Sequence, residues 1–473
     1  MITQIIEKIK RKETSIQELV KSASDNIEKF NEELNVFITI DKENALKIAK
    51  EYDDLLSKED AEDVYKNKPL FGIPISLKDL YSTKDLETTA GSNILKGYVP
   101  PYDATVVKKL KDAGAIIIGK LNQDAFGHGA SGENSDFGPT RNPYDLERVA
   151  GGSSSGSGVA VATNMSFIAT GTDTGGSIRN PASFTNTVGF KPSYGLVSRY
   201  GIIAMASSLD TVSHITKTVK DSALVLQQTA GKDVYDATTI DDEIPNYLDT
   251  IDDGVKNMKI GVVKEYLEDE NIHEDIKHRM NEAIEIYKKL GAEIIDISLP
   301  NAKYALSVYY ILMPSEVSSN LARFDGIRFG HKRESFGDEA KRRIMIGSYA
   351  LSAGFYDAFY LKAQKVRTLV INDFENVFEK VDTILAPVAP MLPPKLGENT
   401  DDPLKMYLMD VLTVPASIAG LPAISVPGGF SKDGLPIGLQ LIGKRYDEAT
   451  IFKVANAFEK ETEYYKQEPK LNN

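Results

Sequence analysis

Short apolar runs hemmed in by glycine or proline recur along this chain, and they restrict its fold more than any other feature. PLFGIPISLKD (69–79), AGAIIIGK (113–120), FIATGTDTGG (167–176), MKIGVV (258–263), VDTILAPVAP (381–390), AISVPGGF (423–430) and IGLQLIG (437–443) have the length and texture of buried strands. Helical patterns lie between them. IHEDIKHRMNEAIEIYKKLG puts Ile276, Met280, Ala283, Tyr287 and Leu290 on one face and stops at Gly291. YYILMPSEVSSNLARFDG and AKRRIMIGSYALSAGFYDAFYLKAQKVRTLVINDFENVFEK read as further helices. Strands at both ends with helices between predict an α/β chain, one mixed central sheet flanked by helices on both faces and closed by its C-terminal part.

The 473 residues divide by texture within one expected domain. Residues 1–65 read as helical, with Ser15 and Glu18 in a capping-box pattern. Residues 66–230 hold the glycine-rich core, 231–257 an acidic, solvated excursion, and 258–473 the rest of the sheet and helices. No apolar run reaches the roughly 18 residues that a membrane span needs, and MITQIIEKIKRKET has no signal-peptide character, so a cytoplasmic protein is expected. The net charge of −13 argues against tight nucleic-acid binding by this chain alone. With no cysteine, thiolate nucleophiles, disulfides and cysteine metal sites are excluded. The five histidines, His128, His214, His273, His278 and His331, form no i, i+4 zinc pair, and no metal is expected.

GGSSSGSG (151–158) closes a Gly/Ser/Asn/Pro-rich stretch from 123 that is too long to be an idle loop. Four readings compete for it. A flexible linker fits the composition but not the structured flanks. A phosphate loop would end in Lys-Ser/Thr, which is missing here. The pattern G-x-S-x-G would make Ser154 the nucleophile of an elbow, but RNPYDLERVA ahead of it does not read as a strand and no histidine follows in a triad setting. The fourth reading pairs the loop with Lys78 in ISLKD and Ser177 in GTDTGGSIR. A serine hydroxyl needs a base, and a lysine buried among apolar neighbours can serve when neutral, with an intervening serine passing the proton. Backbone N–H groups at Thr174, Gly175, Gly176 and Ser177 could face an oxyanion.

GGSSSGS followed by GTDTGGSIRNPASF, with LKD upstream, resembles the amidase signature family. Longer segments, including PLFGIPISLKDLYSTKDLETTAGSNIL, FGPTRNPYDLERVAGGSS, NLARFDGIRFG and KRRIMIGSYALSAGFYDAFY, are similar to the branch that provides the glutamine-hydrolysing component of tRNA-dependent amidotransferases. The resemblance implies Lys78 as base, Ser153 as a relay behind a cis peptide bond, Ser177 as nucleophile, and L-glutamine as substrate. It further implies Asp410 for the α-amino group and Arg343 for the α-carboxylate, Arg342 being the adjacent alternative. Ammonia would pass to a B subunit that activates Glu-tRNA(Gln) with ATP and Mg²⁺, a small C subunit would hold the two together, and this chain would carry no cofactor. The alternative is a free-standing amidase acting on another small amide. Two places depart from the family pattern: GGSSSGSG stands where GGSSGGSA is common, and GKLNQDAFGHGASGENS where GKTNMDEFAMGSSTENS is usual, which puts Ser155 in place of a glycine and His128 in place of an apolar residue.

Overall fold

The apolar runs become strands because both faces of each are covered. The computed structural model describes residues 1–327, 330–398 and 402–471, without the side chain of Pro403. Arg328 and Phe329 of NLARFDGIRFG, and residues 399–401 and 472–473 of the C-terminal division, lie outside the described residues. In chain order the strands are β1 (Phe37–Ile40), β2 (Pro74–Lys78), β3 (Ile116–Leu121), β4 (Arg141–Asn142), β5 (Asp145–Val149), β6 (Ile168–Asp173), β7 (Val188–Lys191), β8 (Thr211–Thr216), β9 (Lys259–Val263), β10 (Glu293–Ile297), β11 (Thr383–Pro387), β12 (Ala423–Phe430) and β13 (Pro436–Gly443).

Eleven of these form one sheet in the order β1-β3-β2-β6-β8-β7-β12-β13-β11-β9-β10, while β4 and β5 pair separately. Strand β2 runs parallel to β3 and β6, and β9 runs parallel to β10 and β11. The other neighbours are antiparallel, so the sheet is mixed. Strands β2, β3, β6, β8 and β13 are buried at every residue, as helices on both faces require. One connected apolar core runs from Ile2 through Val107, Ile215 and Tyr287 to Phe458, which leaves no seam between domains.

The structure differs in detail from the sequence reading: β7, β8 and β10 complete the sheet from segments not read as strands, and three further segments depart from it. The first 65 residues are helical (Ile2–Lys10, Ile16–Leu34, Lys42–Leu56 and the start of Ala61–Asn67) except for β1, which adds an edge strand against β3. Gly119 permits this approach, because a Cβ there would lie 2.3 Å from the Thr39 carbonyl oxygen. The expected capping box forms: Glu18 N–H donates to Ser15 Oγ (3.1 Å) and Ser15 N–H to the Glu18 carboxylate (2.9 Å). In the acidic segment 231–257, Asp241, Asp242 and Glu243 are exposed, but Tyr247, Ile251 and Val255 are buried and pin it to the core. Finally, DLERV is a strand after all, β5, contrary to the ground on which the elbow reading was set aside. It belongs to the isolated β4–β5 pair, outside the central sheet from which an elbow would spring. Among the described residues no helix is long and apolar enough to cross a membrane.

Candidate active site

Lys78 is the last residue of β2, a strand with no exposed residue, so its side chain enters a closed interior. Beside it, Thr170 and Thr172 alternate along β6 and so share a face. The Lys78 N–H donates to Thr170 Oγ1 (3.0 Å), and Nζ donates to Ser153 Oγ (2.8 Å), Ser154 Oγ (2.9 Å) and Thr172 Oγ1 (3.0 Å). Burial drives the amine down from its usual 10.5 to about 7, against the pull of the Asp124, Asp173 and Asp210 carboxylates. An ammonium would give one proton to each hydroxyl; a neutral amine has only two and must accept from one of the three. The cage therefore suits a lysine that exchanges a proton with a serine.

The GGSSSGSG run is half turn and half helix. The Gly152–Ser153 peptide is cis, and helix Ser155–Ala162 begins two residues on. Ser153 O accepts from Asp124 N–H (3.1 Å), and Gly152 N–H donates to Ala130 O (2.7 Å). Gly156 lies where a Cβ would meet the Asn122 and Val36 carbonyl oxygens, both at 2.7 Å, which explains a glycine inside a helix. Ser155 takes helical geometry and hydrogen-bonds Thr140 through its hydroxyl (3.2 Å). Its Cβ is 2.6 Å from where a Cβ on Gly132 would stand. A side chain at position 132 would therefore collide with Ser155, which the glycine there avoids.

Ser177 lies in the turn between β6 and helix Arg179–Phe184. Its carbonyl accepts from Ser154 N–H (3.1 Å), tying the two glycine-rich loops together. It is 6% exposed, whereas Lys78 and Ser153 are at 0%, so of the three it is the one a substrate can reach. No hydrogen bond joins its hydroxyl to Ser153 among the described residues; such contacts commonly tighten only around bound substrate. The N–H groups of Gly175, Gly176 and Ser177 likewise donate to no described residue, while Thr174 is tethered by its hydroxyl to Asp210 (2.8 Å). The turn is held rigid from behind: Asp173 and Arg179 form a fully buried, two-contact ion pair (both 3.0 Å), and Arg179 also donates to Thr413 O, Gln440 and Ser417. Burial would raise the Asp173 carboxyl, but Arg179 outweighs it and the net shift is downward. At Gly175 a Cβ would strike the Tyr309 ring (2.8 Å), and at Gly176 the Thr413 hydroxyl (2.3 Å).

Asp410 stands against this turn, 3.2 Å from a Cβ position on Gly176, and accepts from Asn180 Nδ2 (2.8 Å) and Tyr310 OH (3.4 Å). Burial lifts its carboxyl to about 8, opposed by the Arg343 charge and aided by Asp173. Arg343 is buried at 2% exposure, lies over Tyr310 (5.5 Å) and Tyr407 (5.6 Å), and donates to Glu339 (2.8 Å). Arg342, the alternative, turns outward with a 42% exposed side chain and pairs with the other Glu339 oxygen. Asp410 thus faces the Ser177 turn, and the buried Arg343 charge acts on its carboxyl. A cavity of about 820 Å³ opens elsewhere, lined by Tyr98, Tyr200, Asn320 and Phe324, and none of the site residues borders it. Among the described residues no group of three or more His, Asp or Glu side chains is placed to hold a metal ion.

Sequence reasoning missed Ser154 and Thr172 as partners of Lys78, and the stacked Tyr310–Tyr407 pair (3.8 Å) under Arg343. Period-two alternation of threonine in IATGTD could have flagged Thr170 and Thr172. The tyrosines carry no local pattern.

A mixed sheet with a lysine and two serines at the end of its parallel strands defines a class, and the Amidase family model matches residues 18–452: the chain belongs to the amidase family. Within it, the chain is 50% identical to the glutamyl-tRNA(Gln) amidotransferase A subunit of Geobacter metallireducens, covering 98% of each chain, and 51% identical to that of Geobacillus kaustophilus, covering 98% and 97%. The crystal structure of the same enzyme's A subunit from Thermotoga maritima superimposes with a TM-score of 0.80 at 41% identity over 94% of both chains.

Proposed function

We propose that this chain is the glutamine-hydrolysing subunit of a glutamyl-tRNA(Gln) amidotransferase. The observation that carries the chemistry is the buried Lys78 amine, near half-neutral at pH 7 and bonded to Ser153. Similarity to the amidotransferase relatives across almost the whole chain supports the substrate.

Neutral Lys78 takes the Ser153 proton as Ser153 takes that of Ser177, and Ser177 Oγ attacks the side-chain carbonyl of L-glutamine. The oxyanion lies against the N–H groups of the 174–177 turn. Collapse breaks the C–N bond, and the proton returns through Ser153 to the departing ammonia. Water, activated by the same relay, then frees glutamate from Ser177. Asp410 takes the substrate ammonium and Arg343 its carboxylate, since a zwitterionic head needs one charge of each sign.

Ammonia goes to a B subunit that uses ATP and Mg²⁺ on Glu-tRNA(Gln), with a small C subunit in the assembly; this chain binds neither cofactor, meets tRNA through its partner, and works in the cytoplasm. A partner surface is supported by an exposed apolar face at Met345, Ile346, Tyr349, Phe355, Tyr356 and Phe359, in which Tyr349 packs on Phe355 (4.3 Å). So much apolar area in water marks an interaction site. The test is Ser177→Ala in the assembly purified from its source. Glutamine-dependent amidation disappears while ammonium still supports it. Loss of both would refute the glutaminase reading, and full activity of the lone chain on other amides would favour the free-standing amidase.

A further inference from the structure

The mechanism above gives Ser154 no part, although this residue touches both ends of the catalytic relay. Its N–H donates to Ser177 O (3.1 Å), and its carbonyl accepts from Ser157 N–H (3.1 Å) and Gly158 N–H (3.3 Å) at the start of helix Ser155–Ala162. Its hydroxyl accepts from Lys78 Nζ at 2.9 Å, next to the 2.8 Å contact of Ser153. Gly171 makes the room for that side chain, since a Cβ there would lie 2.8 Å from Ser154 Oγ.

The direction of each hydrogen bond decides which hydroxyl meets the base. A neutral amine has two protons and one lone pair, and only the hydroxyl facing the lone pair can give up its proton to it. Three hydroxyls surround Lys78 Nζ, those of Ser153, Ser154 and Thr172, so two of them have to be kept from the lone pair. Ser154 is kept from it by its own bonding: its O–H donates to Thr172 O (3.4 Å), which leaves only oxygen lone pairs to meet the amine.

We propose that Ser154 is a positioning residue: it and Thr172 take the two protons of the Lys78 amine and so turn the amine lone pair toward Ser153. The assignment rests on the lysine-base reading above and names the residue that aims that base.

The test is Ser154→Ala in the complete assembly, with kcat and KM for L-glutamine measured from about pH 5 to 9. Without one of its three acceptors a Lys78 ammonium is left a partner short inside the protein, so the charged form is disfavoured. The acid limb of kcat therefore moves about one to two pH units lower, the effect of losing one hydrogen bond to a charged group. On the plateau kcat falls at least about tenfold because the lone pair is no longer aimed, while KM stays within about twofold. The Asp124, Asp173 and Asp210 carboxylates that also act on Lys78 are the same in both proteins, so the shift reports the missing hydroxyl. A serine that merely fills space would, when shortened, admit water and move the limb up toward an ordinary lysine. A limb that stays in place or moves up, a plateau kcat within about twofold of wild type, or a change confined to KM overturns the proposal. Ammonium-dependent amidation is the control for fold and assembly. If the alanine variant fails that control, Ser154→Cys, which keeps the side chain but is a weaker acceptor, is measured in its place and read in the same way. A wild-type rate with no acid limb between about pH 5.5 and 8 would instead sink the lysine-base reading itself.

Discussion

The protonation state of Lys78 is the most exposed part of the mechanism, and pH tests it directly. A fall from 10.5 to about 7 makes about half the amine neutral at pH 7, where an unperturbed lysine would be neutral in fewer than about one molecule in a thousand. The gain of roughly a thousandfold in competent enzyme comes from burial in β2 and outweighs three carboxylates. Because the pKa is lowered, the neutral, active form is lost as pH falls. The rate of ammonia release from saturating L-glutamine is therefore flat above about pH 8 and drops close to tenfold per unit below about pH 6.5. Ammonium-dependent amidation by the same assembly, corrected for free ammonia, serves as control for partner and fold. Lys78→Arg keeps charge and donors but cannot deprotonate, and it lowers glutamine hydrolysis at least about a thousandfold at every pH. A rate that is level from about pH 5.5 to 8, or that rises on acidification, would refute the neutral-lysine argument. So would an arginine variant retaining more than about a tenth of wild-type hydrolysis.

Asp410, with its carboxyl lifted to about 8, must ionise to hold the substrate ammonium, so KM for glutamine falls as pH rises toward 8. Asp410→Asn removes that dependence and raises KM about ten- to a hundredfold. Gly132→Ala costs about 2 kcal/mol in denaturant unfolding, through collision with Ser155 and a positive φ of +86°. Adding Ser155→Gly recovers part of the loss; strictly additive effects would remove that contact from the account. Met345→Asp and Tyr349→Asp, at positions 71% and 54% exposed, leave the melting temperature of the chain within a few degrees but abolish co-purification of its partners, and intact assembly would place the interface elsewhere.

Local features were legible from residue order wherever the forces are local. The Ser15–Glu18 cap, the helix ending at Gly291 and the strands β2, β3, β6, β9, β11, β12 and β13 follow from periodicity and from glycine and proline punctuation. Strands β1, β7, β8 and β10 and the β4–β5 pair escaped because short strands depend on what they pair with: β1 forms where Gly119 lets it reach β3. The same holds in the site. Ser154 was set aside with the elbow reading, yet its hydroxyl is as close to the lysine as that of Ser153, and the contact bridges 76 positions of chain. Arg342 and Arg343 are indistinguishable in KRRIM, and only the turn of helix Asp338–Ala350 sends one inward over Tyr310 and the other out to water.

What the sequence by itself determined is the chemistry on offer: no thiol, a lysine among apolar neighbours, two glycine-rich serine loops, and a periodicity that admits a mixed α/β sheet. The tertiary structure alone decided how that chemistry is set. Enclosing Lys78 in β2 brings its amine near neutrality, and three hydroxyls drawn from two separate segments surround it. Both effects are products of burial and of contact between residues distant along the chain. Neither can be read from nearest neighbours, because solvent exclusion belongs to the folded whole.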